Sequence, residues 1–186
     1  MDKRELRKII RSRLAELSPA FCAAEDTAVV ARILQNPLWH NARSVFCYLP
    51  YRREINTFPL LEAALKEHKL LALPRIIGQG VMEARLVENL EDLLPGCFGI
   101  PEPGPDNPEL PPRQIDLVIV PGLAYERRSL LRLGQGQGFY DRYLAHTGAF
   151  RLAPARACQV VTELVADCHD LPMDLLVTAD EELRRA

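Results

Sequence analysis

Three glycines at alternate positions sit in the run Arg132-Leu133-Gly134-Gln135-Gly136-Gln137-Gly138-Phe139-Tyr140-Asp141-Arg142. Without Cβ atoms the backbone here can turn its N–H groups inward and let a large anion approach closely. The apolar stretch Asp116-Leu117-Val118-Ile119-Val120 precedes the run and a helical stretch from Phe139 to His146 follows it. The pattern therefore predicts a strand feeding an anion-binding loop, and then a helix whose N-terminal dipole also favours negative charge. Phosphate is the expected anion. Arginines flank the loop, and Asp141 at its end is best read as a Mg2+ ligand, because Mg2+ in such sites takes one or two carboxylates together with phosphate oxygens. Two common glycine motifs do not fit: the P-loop closes on Gly-Lys-Ser/Thr, and the dinucleotide fingerprint has two residues between its second and third glycines. The glycines alone also suit a flexible surface hairpin. Arg132, Tyr140, Asp141 and Arg142 are what favour a site.

Elsewhere the chain alternates helix and strand patterns. Leu6, Ile9, Ile10, Leu14 and Leu17 recur at helical spacing, which predicts an amphipathic helix over 2–17 with Lys3, Arg7 and Arg11 on one face. Ser18-Pro19 reads as the cap and first residue of a second helix that stops at Asn36-Pro37. Strands are expected over 45–49 and 70–74, with a helix over 58–67 between them, and a strand nearer an edge over 82–87. A proline-rich loop spans 101–112, and further strands are expected around 157–161 and 175–178. Strands alternating with helices imply a mostly parallel sheet covered on both faces. Ligands in such sheets sit beyond the carboxyl ends of the strands, where Glu54 and the glycine loop both fall.

A length of 186 residues with 48% hydrophobic content suits one compact domain over 1–186. The net charge of -2 gives no global footprint for nucleic acid or membrane, so neither is expected as a partner. Five cysteines without a Cys-x-x-Cys pair read as reduced thiols. The N-terminus is charged where a signal peptide is apolar, and no apolar run reaches the ~18–20 residues that span a bilayer. A cytoplasmic protein is expected. His40, His68, His146 and His169 lie apart, without metal-ligand spacing.

The stretch from Asp116 to Leu144 contains Val-Pro-Gly-Leu-Ala-Tyr-Glu and then Arg-Leu-Gly-x-Gly-x-Gly-Phe-Tyr-Asp-Arg-Tyr-Leu. It closely resembles the signature of the 5-formyltetrahydrofolate cyclo-ligase family, also called methenyltetrahydrofolate synthetases. Further blocks resemble the family in the same order: Lys3-Arg4-Glu5-Leu6-Arg7, Tyr48-Leu49-Pro50 with Glu54-Ile55-Asn56-Thr57, Leu73-Pro74-Arg75, and His169-Asp170-Leu171-Pro172-Met173-Asp174. The resemblance implies a single-domain three-layer α/β/α sandwich with a mostly parallel sheet. It implies ATP-dependent conversion of 5-formyltetrahydrofolate to 5,10-methenyltetrahydrofolate, with ATP and Mg2+ as the groups bound besides the folate, which can carry a polyglutamate tail. A monomer is expected.

Residue by residue, the resemblance implies that Lys3 and Arg7 contact nucleotide phosphates. Arg132, Leu133, Gly134, Gln135, Gly136, Gln137, Gly138, Phe139 and Tyr140 would wrap the triphosphate, with Gln135 to Phe139 also reaching the formyl end of the folate. Arg132, Gln137 and Tyr140 would act at the transferring phosphoryl group. Leu49, Glu54 and Arg75 would bind the folate, and Asp141 with Asp174 would hold Mg2+. A carboxylate such as Glu54 can accept hydrogen bonds from a donor-rich pterin ring. Some members carry Lys where this chain has Gln137, which removes one cation. Phe139 replaces a common Tyr, and 151–168 keeps little beyond Gln159. Two other functions stay compatible. One is a non-catalytic nucleotide- or RNA-binding module that uses Lys3, Arg4, Arg7, Lys8, Arg11 and Arg13 as a phosphate-tracking face; the other is an ATP-dependent kinase or ligase for a different small molecule. The acidic balance and Glu54, Asp141 and Asp174 argue against the first.

Overall fold

The computed structural model describes residues 1–185. In chain order its elements are α1 (Lys3–Glu16), α2 (Pro19–Gln35), α3 (Pro37–Asn41), β1 (Ser44–Phe46), α4 (Phe58–Lys66), β2 (Leu70–Gly78) and β3 (Val81–Leu86). There follow β4 (Leu94–Pro95), β5 (Pro101–Glu102), β6 (Leu117–Ile119), β7 (Ala124–Glu126), β8 (Arg132–Leu133), α5 (Phe139–Leu144), β9 (Phe150–Pro154), β10 (Val160–Val161), β11 (Leu175–Val177) and β12 (Glu182–Arg184). The central sheet has the order β12-β11-β9-β6-β1-β2-β3. Its five inner strands run parallel, and β12 and β3 pair antiparallel at the two edges.

The inner strands are mostly apolar because both faces are covered, with Ser44, Arg75 and Arg151 as polar exceptions. On one face Val45, Leu71, Leu73, Leu117, Ile119, Leu152, Leu175 and Val177 pack with Val29, Ile33, Trp39, Leu60 and Leu61 from α2, α3 and α4. The alternate residues Phe46, Ala72, Val118, Ala153 and Leu176 face the other side, against Tyr143 and Leu144 of α5 and Tyr125 of β7. That third layer is thin: its one helix is joined by a small sheet of order β10-β7-β8.

Helix α1 starts at Asp2, whose carboxylate accepts from Glu5 N, and Ser18 caps α2 by accepting from Phe21 N at 3.2 Å. Leu6, Ile10 and Leu14 bury against Leu123, Ala124 and Leu133. Thus α1 docks on the β7–β8 hairpin, and this carries its basic stripe to the glycine loop.

Three expectations need correction. The glycine loop does not follow the 116–120 strand directly, since the β7–β8 hairpin intervenes. Residues 157–161 form a short turn and then β10 of the small sheet, whereas the central strand of this region is β9, Phe150–Pro154, which went unread because Arg151 and Pro154 interrupt its apolar run. The helix after the loop ends at Leu144, not His146.

Candidate functional site

Beyond the carboxyl ends of β1 and β6 lies a cavity of about 500 Å3. Tyr48, Leu49 and Glu54 enter it after β1, Pro121 and Gly122 after β6, and Lys3, Arg7 and Arg11 from α1. Every residue from Arg132 to Asp141 lines it, and Cys97 and Phe98 reach it from the β4–β5 hairpin. The sequence reading therefore placed Lys3, Arg7, Leu49, Glu54, Arg132, Leu133, Gly134, Gln135, Gly136, Gln137, Gly138, Phe139, Tyr140 and Asp141 in one location.

The loop is held from both sides. Arg7 Nε donates to the Gly134 carbonyl at 2.9 Å, Arg11 Nη2 donates to Gln135 Oε1 at 2.9 Å, and Arg142 donates to the Gln137 carbonyl. Gly136 and Gly138 adopt φ of 107° and 68°, in the left-handed region open to glycine. The backbone N–H groups of Gln135 to Gly138 have no acceptor among the described residues. Four free donors beside Arg7 and Lys3 are the chemistry an anionic ligand requires. Helix α5 is only six residues long, so the N–H groups and the cations, rather than a helix dipole, carry this capacity.

Arg132 is the electrostatic centre. Its residue is 5% exposed, its Nη2 donates to Asp141 Oδ1 at 2.6 Å and its Nη1 to the Pro121 carbonyl at 3.3 Å. Among the described residues its Nε has no partner, and neither does the buried hydroxyl of Tyr140, whose ring centroid lies 5.8 Å from the guanidinium carbon. Unsatisfied buried donors in a cavity wall are costly without a ligand to receive them.

Glu54 closes a four-residue turn. Its N–H donates to the Tyr51 carbonyl at 3.1 Å, and its Oε2 accepts from Tyr51 N at 3.0 Å. Burial pushes its carboxyl up to about 7, against the opposing effects of the Tyr51 N–H, the Gln135 side chain and the Arg132 charge. Such a group changes charge near neutral pH.

The acidic pair for a metal differs from the expected one. Asp174 does not line the cavity: its Oδ2 accepts from Arg151 N at 2.9 Å and Arg151 Nε at 3.0 Å, and its Oδ1 from Arg151 Nη2 at 2.8 Å. The carboxylate is consumed in tying β9 to the start of β11. Asp170 lines the cavity instead, with Oδ2 2.5 Å from Lys3 Nζ, while Asp167 Oδ2 accepts from the same nitrogen at 2.7 Å. Asp141 and Asp170 each keep a second oxygen without a partner among the described residues. Two hard oxygen donors beside a phosphate-type loop fit Mg2+, which prefers few protein ligands. Among the described residues no three acidic, His or Cys groups cluster to hold a metal unaided. Arg75 is also outside the cavity; its Nη1 donates to the Pro103 carbonyl at 2.5 Å and anchors the segment after β5.

The expected site set leaves out Arg11, which the sequence reading places on the Lys3 and Arg7 face and in the rival phosphate-tracking face, and Asp170, which stands only in a resembling block; Arg52, Phe98 and Asp167 are not singled out. Phe98 stood between Cys97 and Gly99 in a short glycine-bounded turn, and the structure gives it φ of 59° and 61% exposure at the cavity mouth.

A family model described as the 5-formyltetrahydrofolate cyclo-ligase family matches residues 1–179. A protein of Schizosaccharomyces pombe, described as a probable 5-formyltetrahydrofolate cyclo-ligase, is 28% identical over 201 residues, which cover 99% of this chain and 98% of that one. The 5-formyltetrahydrofolate cyclo-ligase of Escherichia coli K12 is 28% identical over 176 residues, covering 91% and 96% of the two chains. The solved structure of Aquifex aeolicus 5,10-methenyltetrahydrofolate synthetase matches with a TM-score of 0.89 and 32% identity over 99% of this chain and 93% of that one.

Proposed function

Because the chain belongs to the 5-formyltetrahydrofolate cyclo-ligase family, we propose that its cavity carries out that family's reaction, the closure of 5-formyltetrahydrofolate to 5,10-methenyltetrahydrofolate at the cost of ATP. The observation that carries this reading is the meeting in one cavity of the donor-rich glycine loop with Arg132 and of the buried acceptor Glu54. The first suits phosphates and the second a pterin ring.

A formamide carbonyl is a poor electrophile and its oxygen a poor leaving group. The nucleotide supplies a phosphoryl group to that oxygen, after which N10 of the folate closes the ring and phosphate departs. No nucleophilic side chain is needed, so the protein's task is positioning and charge stabilisation. In this reading the N–H groups of Gln135 to Gly138, with Lys3 and Arg7, hold the phosphates. Arg132, with its unsatisfied Nε, faces the oxygens on which charge develops, with Gln137 and Tyr140 beside it. Leu49 and Glu54 hold the pterin, the carboxylate accepting from its amino and ring N–H groups. Asp141 and Asp170 would hold Mg2+, which screens the phosphate charge.

The five cysteines are all free, which supports a reducing compartment such as the cytoplasm. Among the described residues no helix is long and apolar enough to cross a membrane. We read the chain as a single domain that works as a monomer and takes folate with or without further glutamates. The deciding experiment mixes protein, ATP, Mg2+ and 5-formyltetrahydrofolate. The methenyl chromophore and an equal amount of ADP are expected; phosphate release without the chromophore would indicate a kinase for another substrate.

A further inference from the structure

We infer that the Tyr51–Glu54 turn carries a second recognition element, with Arg52 at the cavity rim binding the carboxylates at the glutamate end of the folate substrate. The inference rests on the cyclo-ligase reading and names the part of the substrate that this chain's own residues hold.

Arg52 lines the cavity and is exposed, two residues from Glu54, which is more buried in the same cavity. The turn between them is closed at both ends by the Glu54 N–H and carboxylate on Tyr51. Within it Arg52 adopts φ of 55°, a backbone state that side chains rarely take and that persists where surrounding structure enforces it. Its guanidinium carbon lies 4.9 Å from the Tyr51 ring centroid. Stacking orients the planar group while leaving its edge donors free, the arrangement that suits bidentate capture of a carboxylate.

No carboxylate among the described residues occupies those donors: there Arg52 has neither an ion pair nor a hydrogen bond. The other unpaired cations of the cavity, Arg7 and Arg11, are attached to the glycine loop through Gly134 and Gln135, at the phosphate end. Of the two arginines on the pterin turn, Arg52 is the one that lines the cavity; Arg53 lies outside it and donates to the Leu17 carbonyl at 3.3 Å. A volume of about 500 Å3 is in the range that encloses one drug-sized ligand. Two ligands meeting at their reacting ends therefore leave their remote ends at the rim. For the folate that end is a glutamate with two negative charges. A buried acceptor for the heterocycle and an exposed cation for the anionic tail follow the polarity of the substrate from one end to the other.

The test compares KM for 5-formyltetrahydrofolate and for an analogue whose two glutamate carboxylates are converted to amides, using ATP and Mg2+ at saturation. For the parent protein the neutral analogue is expected to have a KM about three- to tenfold higher, the range for one charge-assisted contact at a partly exposed site. In Arg52→Ala the KM for the acidic substrate rises by the same factor, so the ratio between the two substrates falls toward one, and the KM for ATP does not move. Arg52→Lys restores part of the ratio. An unchanged ratio in a folded Arg52→Ala protein overturns the proposal, as does an equal rise in the KM for ATP. Should that variant not fold, the parent decides by itself, since equal KM values for the acidic and neutral substrates overturn the proposal. If the parent forms no methenyl chromophore from either substrate, the cyclo-ligase reading fails and this inference with it, a result distinct from normal turnover without tail preference.

Discussion

The guanidinium of Arg132 reaches Asp141 across 2.6 Å, joining a side chain that is 4% exposed to one that is 25% exposed and opens on the cavity. The pair couples the start of β8 to the first turn of α5, so it fixes the glycine loop from both sides. Gly138 is the N-cap of α5, which leaves Asp141 free of a capping role.

Asp141→Asn keeps the size and removes the counter-charge from a buried cation. A stability loss of about 1–3 kcal/mol is expected in denaturant titration, because Arg132 then keeps only neutral acceptors. The Mg2+ concentration needed for half-maximal turnover should rise as well. The same stability loss with an unchanged Mg2+ titration would return Asp141 to a purely structural role.

Asp170→Asn and Asp174→Asn should separate cleanly. The first leaves the fold intact and raises the Mg2+ requirement, since Asp170 lines the cavity. The second removes the charge and one of the two acceptor arms of the Arg151 pair and should lower stability by about 1–2 kcal/mol with the Mg2+ titration unmoved. The reverse assignment would restore Asp174 as the ligand.

Glu54 gives a pH signature. Its carboxyl is raised from 4.5 to about 7, so the stability gained by burying the neutral acid is present in full below the unfolded value and is lost as pH rises through the folded one. Glu54→Gln should therefore become the more stable protein above neutrality, by at most about 3 kcal/mol. Binding of the folate wants the ionised acceptor, so the KM for folate in the parent should climb as pH falls below about 7, whereas the Gln variant shows a flat profile. A parent profile without this step would remove Glu54 from the pterin site.

The N-terminal helix separates an enzyme from a nucleic-acid module. Lys3 and Arg7 line the cavity, whereas Arg4 and Lys8 are exposed elsewhere on α1. Lys3→Ala and Arg7→Ala should raise the KM for ATP about tenfold, the size of one charge-assisted contact, while Arg4→Ala and Lys8→Ala stay within about twofold. Equal losses from all four, with RNA affinity whose log–log salt slope changes by about one per contact, would favour the module.

Local signals carried much of this architecture. The caps at Ser18 and Asn36, the 3.6-residue spacing of Leu6, Ile10 and Leu14, and the unbroken apolar runs of β1 and β6 each act within a few residues, where side-chain periodicity and capping dominate. The glycine loop was legible for the same reason. Strand β9 was not, because Arg151 and Pro154 deprive it of a pattern and its place is decided by pairing with β6 and β11.

The site divides in the same way. The residue types for phosphate and pterin recognition stand in the sequence in contiguous blocks, and fourteen of the sixteen expected positions meet in the cavity. Asp170 and Asp174 lie four residues apart in one acidic segment, with nothing local to distinguish them. The sheet decides: Asp174 enters β11 beside β9 and is claimed by Arg151, while Asp170 remains in the preceding loop facing Lys3. Chain chemistry alone thus determined which kinds of groups are available and which short elements they form. Only the tertiary structure decided which charges neutralise one another inside the fold and which stay free for a ligand, because ion pairing depends on distances between segments far apart in the chain.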